Sequence, residues 1–403
     1  MRAWRRAIVV YYPTNAVGNV NAKLFVHILR SVAVMAATAG MLVASEALIQ
    51  ASRDGDAAAT RSILTEGADP NHRGPSGINP LMAAALGGHA DVIQLLLDSG
   101  VDVNATDNDG ATALMAAAEG GHADVVRLLV SKGADSELRV PKIGWAVLMW
   151  AALNGHADTV AALIDVGADV NVQGNAGKTP LSLAAQQGHA EVVRRLLAAQ
   201  AKTDTPDGKI GWTPLMHAAR EGHEDVAQLL VEGGANVNAQ GHGGWTALMT
   251  ATKADHTAIA KLLLAADADP NLAGKDGWTA LILAAIAGNT PIAEALLAHG
   301  AEVDQRDGEG ATALLAAAEN GHQAVVRTLV EHGADINGKD KRIGWTPLMA
   351  ASLRGHLETV KSLLARGADI NEHDGGGKSA LDLARMGRHV EIQQALEAAA
   401  ENR

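Results

Sequence analysis

An all-α repeat solenoid, built from stacked helix–turn–helix units joined by β-hairpin-like loops, is the fold class this sequence predicts. Three observations carry it. Leucines recur at Leu81, Leu114, Leu148, Leu181, Leu215, Leu248, Leu281, Leu314, Leu348 and Leu381, always 33 or 34 residues apart. Each sits in one phrase, as in Gly211-Trp212-Thr213-Pro214-Leu215-Met216-His217-Ala218-Ala219, followed by Gly222-His223 and Val226-Ala227-Gln228-Leu229-Leu230. Aromatic residues are only 2% of the chain against 48% hydrophobic, so the core must be thin layers of Ala, Leu, Val and Met. Small helices stacked in pairs suit such layers.

The elements follow in chain order. Residues 1–44 hold five basic side chains, Arg2, Arg5, Arg6, Lys23 and Arg30, and no acid, the first being Glu46. Lys23 and Arg30 precede an apolar run from Ser31 to Ala44 that ends in the small residues Val43-Ala44-Ser45. That pattern resembles a secretory signal peptide cleaved near Ala44 or Ser45, which places the protein in the periplasm or outside the cell. The run is short for a spanning helix, which needs about 20 residues. An uncleaved membrane anchor over residues 24–44, interrupted by His27 and Arg30, is the alternative, and a fortuitous apolar leader a third reading. Initiation at Val20 would give a leader of ordinary length.

Residues 45–76 read as an N-terminal capping repeat, 77–376 as nine full repeats, and 377–403 as a C-terminal capping repeat. Gln393, Gln394, Glu397 and Glu401 make the last helix polar on its outer side. Both ends look like caps, so the stack is expected to be complete. Within a repeat, a capping Thr followed by Pro or Ala opens the first helix, as at Thr179-Pro180, Thr213-Pro214, Thr279-Ala280 and Thr346-Pro347. Asp91, Asp124, Glu191 and Glu358 open the second helix at its positive end. Gly100, Gly133, Gly167, Gly300, Gly333 and Gly367 supply its left-handed stop. No unit can bury its leucines alone, so stacking creates the core.

The phrase Thr213-Pro214-Leu215 to Ala218-Ala219, at this period, resembles the ankyrin repeat family, and the resemblance covers residues 45–403. It implies a helical stack that binds other proteins through its groove and hairpin tips. The chain departs from the family in places. The position after the repeat Leu, usually His, holds Met82, Met115, Met149, Met216, Met249 and Met349, which puts the usual bonds between turns in doubt and reads as core filling. Gln200 and Asp267 stand where Gly should stop a helix, Lys253-Ala254-Asp255 replaces x-x-Gly, and Asn289-Thr290-Pro291 replaces Gly-His. Units 177–210 and 244–276 are therefore expected to be locally weaker.

Nothing points to catalysis or a cofactor. The nine repeat histidines, among them His89, His156, His223 and His356, lie on helices about 8–10 Å apart, whereas zinc needs ligands within about 2.1 Å of one ion. They read as structural, with no metal. Gly174 to Thr179 and Gly375 to Ser379 look like phosphate loops, but Val172 and Glu372 occupy the first glycine position. Cysteine is absent, and no G-x-S-x-G or H-E-x-x-H stretch occurs. The chain reads as a non-enzyme.

Removing the five leader cations from the 33 basic residues leaves 28 against 45 acids, a net of −17 for the body. Such a body repels phosphate backbones and anionic lipid. The partner is expected to be another protein, with no nucleic acid, no stable membrane association of the mature chain, and a monomeric state. Candidate contacts sit just after the repeat glycine, where five of the seven tryptophans fall: Trp145, Trp212, Trp245, Trp278 and Trp345. Three residues earlier stand Lys142, Lys209, His242, Lys275 and Arg342. Either each cation packs across its own hairpin's indole for stability, or the indoles form a ribbon of binding anchors. Groove positions after the Ala-Ala pair vary most, and Arg220, Lys253 and Glu319 are candidates there. Stacking of indoles on sugar rings makes a cell-wall or glycan binder the alternative function.

Overall fold

The computed structural model describes residues 41–401, so residues 1–40 of the leader lie outside the described residues. Eleven helix pairs follow one another, with no strand among the described residues, and the chain is an all-helical repeat solenoid. It divides into two compact units, one of residues up to 117 with 132–134, the other of residues 118–131 with 135 onward. The first described helix spans 41–54 and so crosses the boundary read at residue 44; Ser45 within it is buried and its Oγ accepts from the Asp69 amide. Loops between repeats are turns, with isolated bridges Thr106–Thr112 and Val140–Trp145 in place of regular hairpin strands.

Each repeat forms for the reasons its sequence gives. The side chains of Thr179, Thr213, Thr279 and Thr346 accept from the amides of Ser182, Met216, Ile282 and Met349, closing the first turn of Pro180–Gln187, Pro214–Glu221, Ala280–Ala287 and Pro347–Arg354. The core is built on the repeat Leu from Leu81 to Leu348 together with the stripe Met82, Met115, Met149, Met216, Met249 and Met349, none more than 4% exposed. The glycines read as stops have φ from +83° to +91°, and Gln200 (+62°) and Asp267 (+63°) adopt the same left-handed conformation without being glycine.

Two ladders join successive repeats. In the larger unit Nε2 of seven repeat histidines lies 2.8–3.1 Å from a backbone carbonyl of the preceding repeat: His156 on Glu119, His189 on Leu153, His223 on Gln186, His256 on Arg220, His322 on Ile286, His356 on Glu319 and His389 on Leu353. The histidines are thus bound to backbone, as a structural role requires. Among the described residues no group of three or more His, Asp or Glu side chains could hold a metal. The second ladder runs backbone to backbone between turns, independent of the side-chain bonds that the methionines put in doubt. Amides of Asn175, Gly208, His242, Lys275, Gly308, Lys341 and Gly375 donate at 2.8–3.0 Å to carbonyls of the preceding hairpin. Main-chain groups need no particular side chain, so methionine can fill the core without loosening the hairpins.

One step of the first ladder is different. A Cβ on Gly222 would lie 2.6 Å from the His256 ring, and Gly155, Gly188, Gly288, Gly321 and Gly355 face the next repeat's His as closely. A glycine is required because the imidazole fills the space. Asp255 stands in that position with φ +64°, and the residue facing it is the smaller Asn289, whose amide donates to the Asp255 carboxylate. The two departures compensate one another.

Candidate interaction face

All five hairpin tryptophans are half-buried, one at the start of each of five first helices. The residues between the preceding cation and the indole form the tight turn, and its glycines, such as Gly211 (φ +73°) and Gly244 (φ +78°), place the indole beside the first helix. Lys142, Lys209, Lys275 and Arg342 are exposed on the turns. The expectation that these cations cover their own indoles is corrected at the positions the structure settles. Over Trp212 lies Arg220, with Cζ 5.4 Å from the ring centroid, and over Trp245 lies Lys253, with Nζ at 5.1 Å. Arg342 instead faces Glu309 of the preceding hairpin at 3.4 Å. The covering cation comes from eight residues after the indole, two helical turns on, where a long side chain reaches back toward the helix start.

These two covered indoles line one cavity of about 640 Å³, together with the cations Lys209, Arg220 and Lys253 and with His242. Ile210 and Thr250 complete its apolar floor, since the Thr250 hydroxyl is committed to the Ala247 carbonyl at 2.8 Å. No carboxylate lines it. Arg220 shares its Nε with Glu221 at 3.6 Å, while Lys209 and Lys253 have no acid within ion-pair distance among the described residues. His256 holds the Arg220 carbonyl, whereas the Lys253 carbonyl belongs to the step where Asn289 has replaced the repeat His. One wall is pinned and the other is not.

Of the residues singled out in the sequence, the fold brings Lys209, Trp212, Arg220, Trp245 and Lys253 together, and leaves the rest outside the cavity. Glu319 is bound by Arg354 of the next repeat at 2.6 Å. Trp145 meets Trp150 edge-on, centroids 5.1 Å apart at 68°, and packs against buried Ala146, Met149, Val172 and Leu183. Trp278, Lys275, Trp345, Arg342 and Lys142 line no part of it.

Behind the cavity lies a cluster that sequence reasoning missed. Asp207 and His217, 3% and 4% exposed, lie 3.1 Å apart between Oδ2 and Nε2. Lys178 of the preceding repeat brings Nζ to 3.0 Å from that Nε2, to 3.6 Å from the Asp207 carboxylate, and donates to Gln186 Oε1 at 2.9 Å. Nε2 can serve one neighbour at a time, as an N–H donor to the carboxylate or as an acceptor from the ammonium. Burial, with Lys178 nearby, pushes the His217 pKa down to about 4, so the ring is neutral at physiological pH. Burial would raise the Asp207 carboxyl, but the amides of Ile210 and Trp212, with Lys178, outweigh it and hold it below the ordinary value. Burial also lowers the Lys178 pKa. Since Asp207 Oδ1 accepts from the amides of Ile210, Gly211 and Trp212 at 2.9–3.3 Å, the cluster fixes the turn that carries the Trp212 indole, whose ring centroid is 5.5 Å from that of His217. The signal was His217 itself, alone at a position that holds Ala, Leu, Thr or Trp in other repeats.

Residues 48–140, 136–207, 203–274 and 267–340 match the family described as Ankyrin repeats (3 copies), and residues 329–384 that described as Ankyrin repeats (many copies). No curated protein matches the chain.

Proposed function

Because this chain belongs to the ankyrin repeat family, whose repeats generally mediate protein–protein interaction, we propose that it is a non-enzymatic scaffold holding one extended protein segment against its hairpins and first helices. The cavity at Trp212 and Trp245 carries the reading. Two half-buried indoles, each covered by a cation and held on turns tied to their neighbours, are pre-ordered anchors of the residue types that dominate binding hot spots. A one-dimensional stack offers such a face readily but few enclosed sites for chemistry.

The test is capture of partners by the immobilised chain beside its Trp212→Ala/Trp245→Ala variant. Proteins retained by the first and lost from the second are expected; identical sets on both would remove the face from the account. The leader adds a proposal of export to the periplasm or beyond, supported by the apolar run Ser31 to Ala44 and the small residues after it. A C-terminally tagged full-length chain is then expected outside the cytoplasm, shorter by about 44 residues, as that cleavage pattern implies. An intact cytoplasmic chain would contradict it. Among the described residues no helix is long and apolar enough to cross a membrane.

A further inference from the structure

We infer that the cavity at Trp212 and Trp245 takes an acidic peptide segment, with an apolar side chain against the indoles and a neighbouring carboxylate at Arg220 and Lys253. The inference rests on the reading of this face as protein-binding and names the chemistry of its partner. Its first ground is charge. The body carries a net of −17, yet Lys209, Arg220, Lys253 and His242 gather at one cavity whose lining contains no carboxylate. An acidic segment is repelled elsewhere on the body and drawn here, which fixes its register. The nearest buried acid, Asp207, does not oppose it, because three backbone amides and Lys178 already face its carboxylate.

The second ground is how the cations are held. With its Cζ 5.4 Å from the Trp212 centroid and only its Nε facing Glu221, the Arg220 guanidinium keeps terminal N–H groups for a carboxylate, and the Lys253 ammonium over Trp245 keeps donors directed away from the ring. The stacking orders both side chains before a ligand arrives and so lowers the entropy lost on binding. The third ground is what the lining lacks. Its side chains offer no carboxylate or carboxamide oxygen, so a neutral sugar, whose hydroxyls donate as well as accept, is poorly matched. A nucleic acid strand would meet the same cations but would have to run on over an acidic body.

The experiment is selection of a random short-peptide display library on the full-length chain, with enriched peptides measured by fluorescence polarisation. Enriched sequences are expected to pair Asp or Glu with a large apolar residue. Their binding is expected to weaken about tenfold in Arg220→Met/Lys253→Met, the scale of a charge-assisted contact, and to fall as salt is added. Lys253→Met alone, at an exposed side chain with no ion-pair partner, gives the same direction if the double variant folds poorly. Neutral or basic peptides that still depend on Trp212 and Trp245 would overturn the acidic partner and leave the scaffold standing. Peptides bound equally by Trp212→Ala/Trp245→Ala, or none enriched, would overturn both. A single-stranded DNA or chitin-type oligosaccharide probe that outcompetes every enriched peptide would also overturn the inference.

Discussion

Trp145 and Trp212 occupy the same position in two different repeats, yet the molecule uses them oppositely. Trp145 turns its edge to Trp150 and rests on Met149, Val172 and Leu183. Trp212 is roofed by Arg220, backed by His217 and opens with Trp245 onto a cavity. What differs is the neighbourhood two residues past the repeat Leu and five past it: Trp150 and Leu153 in one repeat, His217 and Arg220 in the other. Apolar side chains there draw the indole into the core; polar ones leave its face for a cation or a ligand. A row of identical residues in a repeat protein is therefore not a row of identical functions.

The largest effect that would break this comparison is on stability. Trp145→Ala is expected to cost about 3 kcal/mol, the low end for truncating a packed aromatic, and to leave binding at the distant cavity unchanged. Urea melts beside peptide titrations read both; a loss of affinity without loss of stability would reverse the assignment.

Acid should separate the two regions next. His217 stays neutral to about pH 4 in the fold but protonates near 6.5 when unfolded, so between those values the unfolded chain binds a proton that the fold does not. Its contribution is complete above pH 6.5 and lost progressively as pH falls to about 4, approaching roughly 3 kcal/mol. Asp207, held below its ordinary value, adds a further loss beneath pH 3.8. Hydrogen exchange from pH 7 to pH 4.5 should show residues 178–217 losing protection before the Trp145–Trp150 region. His217→Leu, a residue that three other repeats carry there, should flatten that limb.

A smaller effect sharpens the contrast between the two walls of the cavity. Asn289→His should destabilise by about 1–2 kcal/mol, within the range for residues in contact, because the imidazole would meet the Asp255 Cβ. Asp255→Gly/Asn289→His should recover it and pin Lys253 as His256 pins Arg220. A double-mutant cycle with no coupling would contradict the compensation. The smallest change is Asp267→Gly, expected to stabilise by about 1 kcal/mol by relieving a left-handed aspartate. Repeat 244–276, with Asp255 and Asp267 both at positive φ, should exchange amides faster than 211–243.

The repeats, helix-capping threonines, glycine stops, buried methionines and structural histidines were all legible, since each is set by its own repeat and recurs. The partner of an indole was not. Spacing along the turn suggested the cation three residues before it, but the amides of His242 and Lys275 are committed to the preceding hairpin and the side chains on these turns face solvent. The covering cation arrives from the helix instead. The Lys178–Asp207–His217 cluster joins positions up to 39 residues apart in neighbouring repeats; Lys378 and Asp340 stand at the positions of Lys178 and Asp207 in other repeats, so only His217 departs, and one departure gave no pattern to read. Asp255 and Asn289 were each visible as irregular, while their compensation depends on the space between repeats.

The central claim is that Trp212 and Trp245 serve binding more than folding. Titration calorimetry of the full chain and of Trp212→Ala/Trp245→Ala, against a captured partner segment and beside urea melts, tests it most directly. The account predicts an affinity loss of at least about 2 kcal/mol, the hot-spot scale, with unfolding free energy changed by under about 1 kcal/mol, the scale of exposed cation–π contacts. Unchanged affinity with a collapsed melting midpoint would contradict it.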